Sequence, residues 1–373
     1  MSADDRLLEA AVATEGPDAS VANVSRPSDA MPIRRERVTL ALLVTAVMLL
    51  LTGCQATPPD RHDDIDRLGA QLGSLPGVSA VNTRTSYSPA QGLINFTITA
   101  ELADGISSDQ VAEVTSRYLR DLRTAALTGY RAELDLTHGW DLFAVDSGWL
   151  PIANDRQIVD QSRDWIALRG EFPHATVRFR ATIKHPGGQL APQEAGRSNR
   201  ATITMADTAD YRDVATVLTA LCSRFSALAG MDWDVSAGKL HSAQIRTSAR
   251  YPTPAELGVW DALNSDQAIP HVDRLTINGP VSPPIWFAEK TIHSHDVAVA
   301  LDLARKHLPA VATLPGPVLY TASDQISGHI GGAGNARGPV AITVGGCTKY
   351  DPLVYLPSPA ELTLLDAYES CHR

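Results

Sequence analysis

Along this chain, apolar positions fall into two alternating patterns. Val111, Val114, Tyr118 and Leu122 recur three or four residues apart, as do Val214, Leu218, Leu221 and Phe225, and again Val297, Leu301, Ala304 and Leu308. That spacing puts each set on one face of a helix. The three segments open on related pieces, SSDQVAEV (107–114), DYRDVATV (210–217) and HSHDVAVA (293–300), in which Ser or Asp stands where a helix needs acceptors for its first N–H groups. The runs before them alternate with period two, as in Ile94, Phe96, Ile98 and Ala100 or Ala201, Ile203 and Met205. Such alternation predicts strands with one buried and one solvated face.

A second echo is closer. PTPAELGVWDAL (252–263) returns as PSPAELTLLDAY (357–368), with seven of twelve positions identical. Pro at the first turn lacks a donor the helix would not use there, and Glu faces its positive end. The patterns predict three units, 62–150, 151–250 and 251–373, each running helix, two strands, helix, two strands, with an extra helix closing the last. Cut one strand later, this order is strand-helix-strand-strand-helix-strand. The expected class is therefore α+β: tandem two-layer α/β sandwich units of ferredoxin-like strand-helix order, with mixed or antiparallel sheets. The echoing helix starts are about 103 and then 83 residues apart, so the units carry insertions.

Composition narrows the partners. The chain of 373 residues is 44% hydrophobic and 20% charged, which is ordinary globular usage with room for several cores. The formal charge is -10, and basic residues are dispersed, so the clustered cations that neutralise phosphates are missing and nucleic acid is excluded as a partner.

Residues 31–54 carry a different signal. Arg34, Arg35 and Arg37 precede an uncharged stretch from Val38 to Gly53, and the stretch ends on Leu51-Thr52-Gly53-Cys54. Basic, apolar and small-residue regions in that order form an export signal. Sixteen residues reach only about 24 Å as a helix, short of the roughly 30 Å hydrocarbon layer; an uncleaved membrane anchor would have to recruit Gln55 to Pro59. The tetrapeptide resembles the lipobox of bacterial lipoproteins. That resemblance implies cleavage of the signal peptide 31–53 before Cys54, a diacylglyceryl group on its thiol, acyl chains of the palmitate kind, and a lipid anchor on the outer face of the cell membrane, followed by a spacer, 54–61. Two or more chains hold a protein on a bilayer where one does not. Residues 1–30, with six acidic residues against two Arg, precede a signal of this kind. The expectation is that they are disordered or that translation starts at Met31.

Candidate chemistry is sparse. His293 and His295 stand at i and i+2, beside Asp296; in an extended chain the two imidazoles point the same way and would suit zinc, and the alternative is a helix cap. Ser236-Ala237-Gly238-Lys239 has the S-x-x-K spacing, but lies between strand-like runs and reads as a turn. GHIGGAGNARG (328–338) offers flexible backbone and Arg337 without the G-K-[ST] of a phosphate loop, so a hairpin connection or a ligand-closing loop are its two readings. The six Trp are scattered singly and are assigned mostly to the core.

Four cysteines remain to be placed. Cys54 is the lipidation site. Cys222, four after Leu218 and three before Phe225, is assigned to a buried stripe as a free thiol. Cys347 ends a strand-like run and Cys371 ends the last helix, so a Cys347–Cys371 disulfide would tether an otherwise free element; free thiols or a pairing with Cys222 are the alternatives. No catalytic constellation is complete and no cofactor is indicated. The leading reading is a membrane-anchored envelope lipoprotein that binds or scaffolds an envelope protein or cell-wall component without catalysis. Its alternative is an envelope hydrolase or metal-dependent enzyme using His293, His295 and Asp296.

Overall fold

The computed structural model describes residues 60–371 apart from 89–92, 126, 128, 129, 189, 191–197 and 333. Cys54 and the whole of the expected signal segment lie outside the described residues. Nineteen elements follow one another without a break in rhythm: α1 (His62–Gly73), β1 (Val78–Ser88), β2 (Leu93–Leu102), α2 (Ser108–Thr124), β3 (Tyr130–His138), β4 (Asp141–Asp146), α3 (Asp155–Glu171), β5 (Thr176–Arg180), β6 (Arg200–Thr204), α4 (Tyr211–Arg224), β7 (Asp232–Ser236), β8 (Ala243–Thr247), α5 (Pro254–Ser265), β9 (His271–Ile277), β10 (Ile285–Thr291), α6 (Val297–Val311), β11 (Val318–Ser323), β12 (Ala341–Val344) and α7 (Pro359–Tyr368). The chain is thus α+β, with a helix-strand-strand step repeated six times and a helix at the end.

Local chemistry starts four of these helices in the same way. Ser107 with Gln110, Asp210 with Asp213, Thr253 with Glu256 and Ser358 with Glu361 each form a reciprocal capping box. A cap of this kind contributes about 1 kcal/mol. Pro254 and Pro359 occupy the first turn of α5 and α7, where no donor is lost.

All twelve strands belong to one sheet and lie in sequence order. Each hairpin is antiparallel, and each helix from α2 to α6 carries the chain across to a parallel strand directly beside the last, as in Ile94↔Tyr130 or Ala243↔Asp273. This differs from the expected tandem units. In the ferredoxin-like arrangement another strand splits each strand-helix-strand step; here none does, and the sheet runs unbroken through both expected boundaries, by β4 against β5 and β8 against β9. Strands that follow one another tend to lie side by side, and a strand edge left unpaired would invite association. At about 4.8 Å per step the sheet is roughly 50 Å wide.

Helices form a single layer. The ion pair of Arg224 on α4 with Glu171 on α3, and the bond from Trp260 Nε1 on α5 to the Tyr211 carbonyl on α4, link neighbours across the layer. Strand residues facing it supply the core, including Phe96, Leu134, Phe143, Phe179, Ile203, Trp233 and Phe287, with Trp165 and Trp260 from the helices. The hairpins meet this layer through cross-strand apolar pairs: Leu134↔Val145, Val177↔Ile203, Val235↔Ile245 and Tyr320↔Ile342. Trp140, on the β3–β4 turn, is 85% exposed, so it is not a core residue. Val297 is 40% exposed because it opens α6, whereas Leu301, Ala304 and Leu308 are buried as expected, together with Ala300, Leu303, His307 and Val311.

Candidate functional site

The sixth hairpin and the loops around it collect the residues singled out in the sequence. Asp296 is the N-cap of α6, with Oδ1 accepting the Ala298 N–H at 2.8 Å, so its carboxylate is committed to the helix start. His295 turns away from it: Nδ1 lies 2.9 Å from Asp324 Oδ2, and the other Asp324 oxygen lies 3.0 Å from His329 Nε2. The hydrogen bond from His295, foremost, holds the Asp324 carboxyl below its usual range. Two motifs far apart in sequence, HSHD and GHIGG, therefore meet at the carboxyl ends of the parallel strands β10 and β11, the end at which open α/β sheets hold ligands. His293 has no part in this group and adopts φ 61°.

The Gly-rich segment 328–338 is folded on itself and on to the sheet. Ile330 bridges Ala336, Ala336 bridges Tyr350, and Arg337 pairs with Asp351 at 3.3 Å. Gly328, at φ +60°, lies so close to Thr321 that a Cβ would stand 2.3 Å from its hydroxyl. Only glycine allows that approach. Ser236 closes β7 and Lys239 belongs to the connection to β8; a Cβ on Gly238 would meet the Ala206 carbonyl at 2.1 Å, which accounts for the glycine of the S-x-x-K spacing without catalysis.

Cys347 and Cys371 form a disulfide with Cα atoms 5.4 Å apart, tying the end of β12 to the segment after α7. Cys222 is free but exposed. Its assignment to a buried stripe is corrected by one residue: Val214, Val217, Leu218 and Leu221 fill the buried face of α4, and the next residue turns out toward solvent.

A second cluster has no sequence motif. In the fifth hairpin the apolar pairs Leu275↔Phe287 and Ile277↔Ile285 face the helices, and the next pair on the same side is Asp273↔Glu289. His271 joins it from the start of β9, His307 from the buried stripe of α6 and Tyr320 from β11; none of these five side chains is more than 4% exposed. His271 Nδ1 sits 2.6 Å from the Ile269 carbonyl, which makes it the protonated nitrogen and turns Nε2 inward, 3.5 Å from Asp273 Oδ2. His307 Nδ1 lies 2.7 Å from Glu289 Oε1, while Tyr320 donates its hydroxyl to Glu289 Oε2 at 2.5 Å. His307 Nε2 points to Asp266 at 3.7 Å, and Lys306 holds Asp266 from the surface at 3.0 Å. His271 Nε2, both Asp273 oxygens and His307 Nε2 are buried without a hydrogen bond.

The electrostatics follow from that burial. Burial and then the Asp273 charge drive the Glu289 carboxyl well above its usual range. Burial, with His271 next, pulls His307 down. For His271 burial pulls down as well, but the Asp273 carboxylate 3.5 Å away, with the charge of Glu289 after it, outweighs it and raises the imidazole to about 9. His271, Glu289 and His307 each bring one donor atom within 4.8 Å of the others.

The open face of the sheet is the third feature. Arg131 pairs with Asp146 and Arg180 with Glu133; Arg200 and Arg246 both reach Asp234, and Gln244 links Asp234 to Arg274. Arg180 stands directly across from Arg200. Arg178, Arg200, Arg246 and Lys290 are exposed on this face. Among the described residues no helix is long and apolar enough to cross a membrane. Comparison with protein families, with curated proteins and with solved structures finds no match.

Proposed function

We propose that this chain is a lipid-anchored protein of the bacterial cell envelope, held by Cys54, that binds or scaffolds an anionic envelope component through the open face of its sheet and performs no catalysis. The carrying observation is the face itself. On a chain of net charge -10, this face exposes Arg178, Arg200, Arg246 and Lys290, with Arg180 and Arg274 half-buried beside them and Asp234 of β7 among them. Arg180 and Arg200 stand opposite each other, each answered by one carboxylate, Glu133 and Asp234, and Arg178 and Lys290 add exposed positive charge beside them. A single layer of helices leaves this band uncovered, and charge complementarity of that kind steers association with a partner of opposite sign. An anionic cell-wall polymer or an acidic envelope protein has the required chemistry. Asp296, committed to its helix cap, counts against the enzyme reading built on His293, His295 and Asp296.

Photo-crosslinking in intact cells tests the reading. A crosslinker at Thr202, in the middle of the band, is expected to capture envelope material, and one at Arg156 on the helix layer is not. Reversal of Arg178, Arg200 and Arg246 to Glu should abolish the adduct. Adducts of equal yield from both positions, or unaffected by charge reversal, refute the binding face. The anchor is tested separately: Cys54→Ser should lose incorporation of a fatty-acid analogue and leave the detergent phase, and equal labelling of the variant rejects it.

A further inference from the structure

The fifth hairpin departs from its sisters at one pair. Where the other hairpins that meet the helices do so through Leu134↔Val145, Val177↔Ile203, Val235↔Ile245 and Tyr320↔Ile342, it places two carboxylates face to face in the core, Asp273↔Glu289. Burying one carboxylate without a partner costs several kcal/mol, and two like charges in register cost more. Both imidazoles that close on this pair turn one nitrogen away from the centre toward an oxygen. For His271 the Ile269 carbonyl fixes that nitrogen at 2.6 Å; for His307 the Asp266 carboxylate faces it at 3.7 Å, beyond hydrogen-bond reach. The inward atoms are then His271 Nε2, His307 Nδ1 and Glu289 Oε1, with Asp273 Oδ2 beside them and Tyr320 holding the far Glu289 oxygen. An imidazole whose outer nitrogen is fixed by a carbonyl or carboxylate is the arrangement that prepares histidine for a metal ion.

We propose that this cluster binds one divalent ion of the zinc class, ligated by His271, Glu289 and His307 with Asp273 as the next oxygen donor. Two imidazoles and carboxylate oxygens suit zinc, whereas calcium and magnesium take oxygen alone. Ligands about 2.0 Å from a tetrahedral ion lie about 3.3 Å from one another. The Glu289 and His307 donors are 2.7 Å apart and all three donors lie within 4.8 Å of one another, so small side-chain shifts bring them to that spacing. A ligating atom must be unprotonated, so any proton that it carries leaves to solvent as the ion enters. The route is past Asp266 and Lys306, which form the surface end of the cluster, Asp266 being 37% exposed. With all donors buried and no position open to a substrate, the ion fastens β9, β10 and α6 together; the site is structural and independent of the open face.

The full-length chain, purified in detergent, stripped with a chelator and titrated with zinc, tests this. Expected is one zinc per chain, a rise in the unfolding temperature on loading, and a visible ligand-field band when cobalt replaces zinc. Glu289→Gln with His307→Gln should weaken binding at least about 100-fold, beyond the tenfold to hundredfold effect of an outer partner. His295→Ala, at the surface group with Asp324 and His329, should leave binding unchanged. If the double variant fails to fold, the wild-type titration and the His295→Ala titration decide alone. Substoichiometric zinc on the folded stripped chain, or binding lost with His295→Ala, overturns the proposal, while the envelope-binding reading stands or falls on its own crosslinking result.

Discussion

Asp135 sits in the polar face of β3 with one carboxylate oxygen buried and without a hydrogen bond. Burial first, then the charge of Glu133, raises its carboxyl to about 6, against the pull of Arg180 and Arg178. The folded value exceeds the unfolded one, so below about pH 4 the residue is protonated in both states and contributes nothing. Between about pH 4 and pH 6 the unfolded chain sheds the proton first, and stability falls as pH rises through that window. Asp135→Asn removes the effect. After a discount for partial exposure the gain is about 1–2 kcal/mol at pH 7, read as a rise of roughly 2–5 °C in unfolding temperature. The rise should vanish toward pH 4; a rise of equal size at both pH values rejects the assignment. His271, Glu289 and His307 show why sequence did not reveal the buried cluster. They are 18 residues apart in each step, on two strands and a helix, and no short motif has that spacing. The available signal was polarity at inward positions: Asp273 and Glu289 fall on the apolar phase of their strands, and His307 on the apolar stripe of its helix.

At the scale of elements the sequence was far more informative. Period and caps located helices at 111–122, 214–225 and 297–308, and the echo PSPAEL located the last, because both signals are local and depend on residues within one turn. Strand pairing is not local. Nothing in VRFR or ATIT tells a reader that β5 continues a sheet begun by β4, and that is where the expected separate units became one sheet. The last helix also has a task beyond copying its sister. Glu361 of α7 accepts the Val340 N–H at 2.9 Å, the Tyr355 hydroxyl at 2.6 Å and the Ser358 N–H at 2.8 Å, so a single buried carboxylate fixes β12, a loop and a cap. The Cys347–Cys371 disulfide closes 24 residues around this assembly. On the chain-entropy account, such a loop contributes about 3.5 kcal/mol. Cys347→Ser should therefore lower the unfolding temperature of the oxidised chain by roughly 5–10 °C, and reduction of the wild type should reproduce the loss. A shift seen in the Ser variant but absent on complete reduction would assign the effect to the side chain and not to the crosslink.

The described residues form a row of six helix-strand-strand steps, and such rows derive stability from each step and its neighbours, so that the two ends need separate protection. Its ends are unlike. Among the described residues no strand lies beyond β1, and the eleven residues from Val78 to Ser88 carry one charge, Arg84, and no proline to blunt the edge. Beyond β12 the chain itself closes the edge: Glu369 accepts the Thr343 and Thr348 N–H groups at 3.0 Å each, and the Gly345 N–H reaches the Tyr368 carbonyl at 2.9 Å. Outward amides at the last strand thus have partners in the protein, whereas those of the first pair with no strand among the described residues. Opening of a local unit costs less where backbone groups exchange their bonds for water. Hydrogen exchange followed by mass spectrometry should therefore show fast exchange in peptides covering 78–88 and slow exchange in those covering 340–345. Reduction of the disulfide should raise the rate in 340–345 while leaving 78–88 as it was. Equal protection of the two edges in the oxidised chain would mean that something else, a second copy or a partner, pairs with β1, and dilution would then distinguish a self-association, whose protection falls with concentration, from an interaction within the chain.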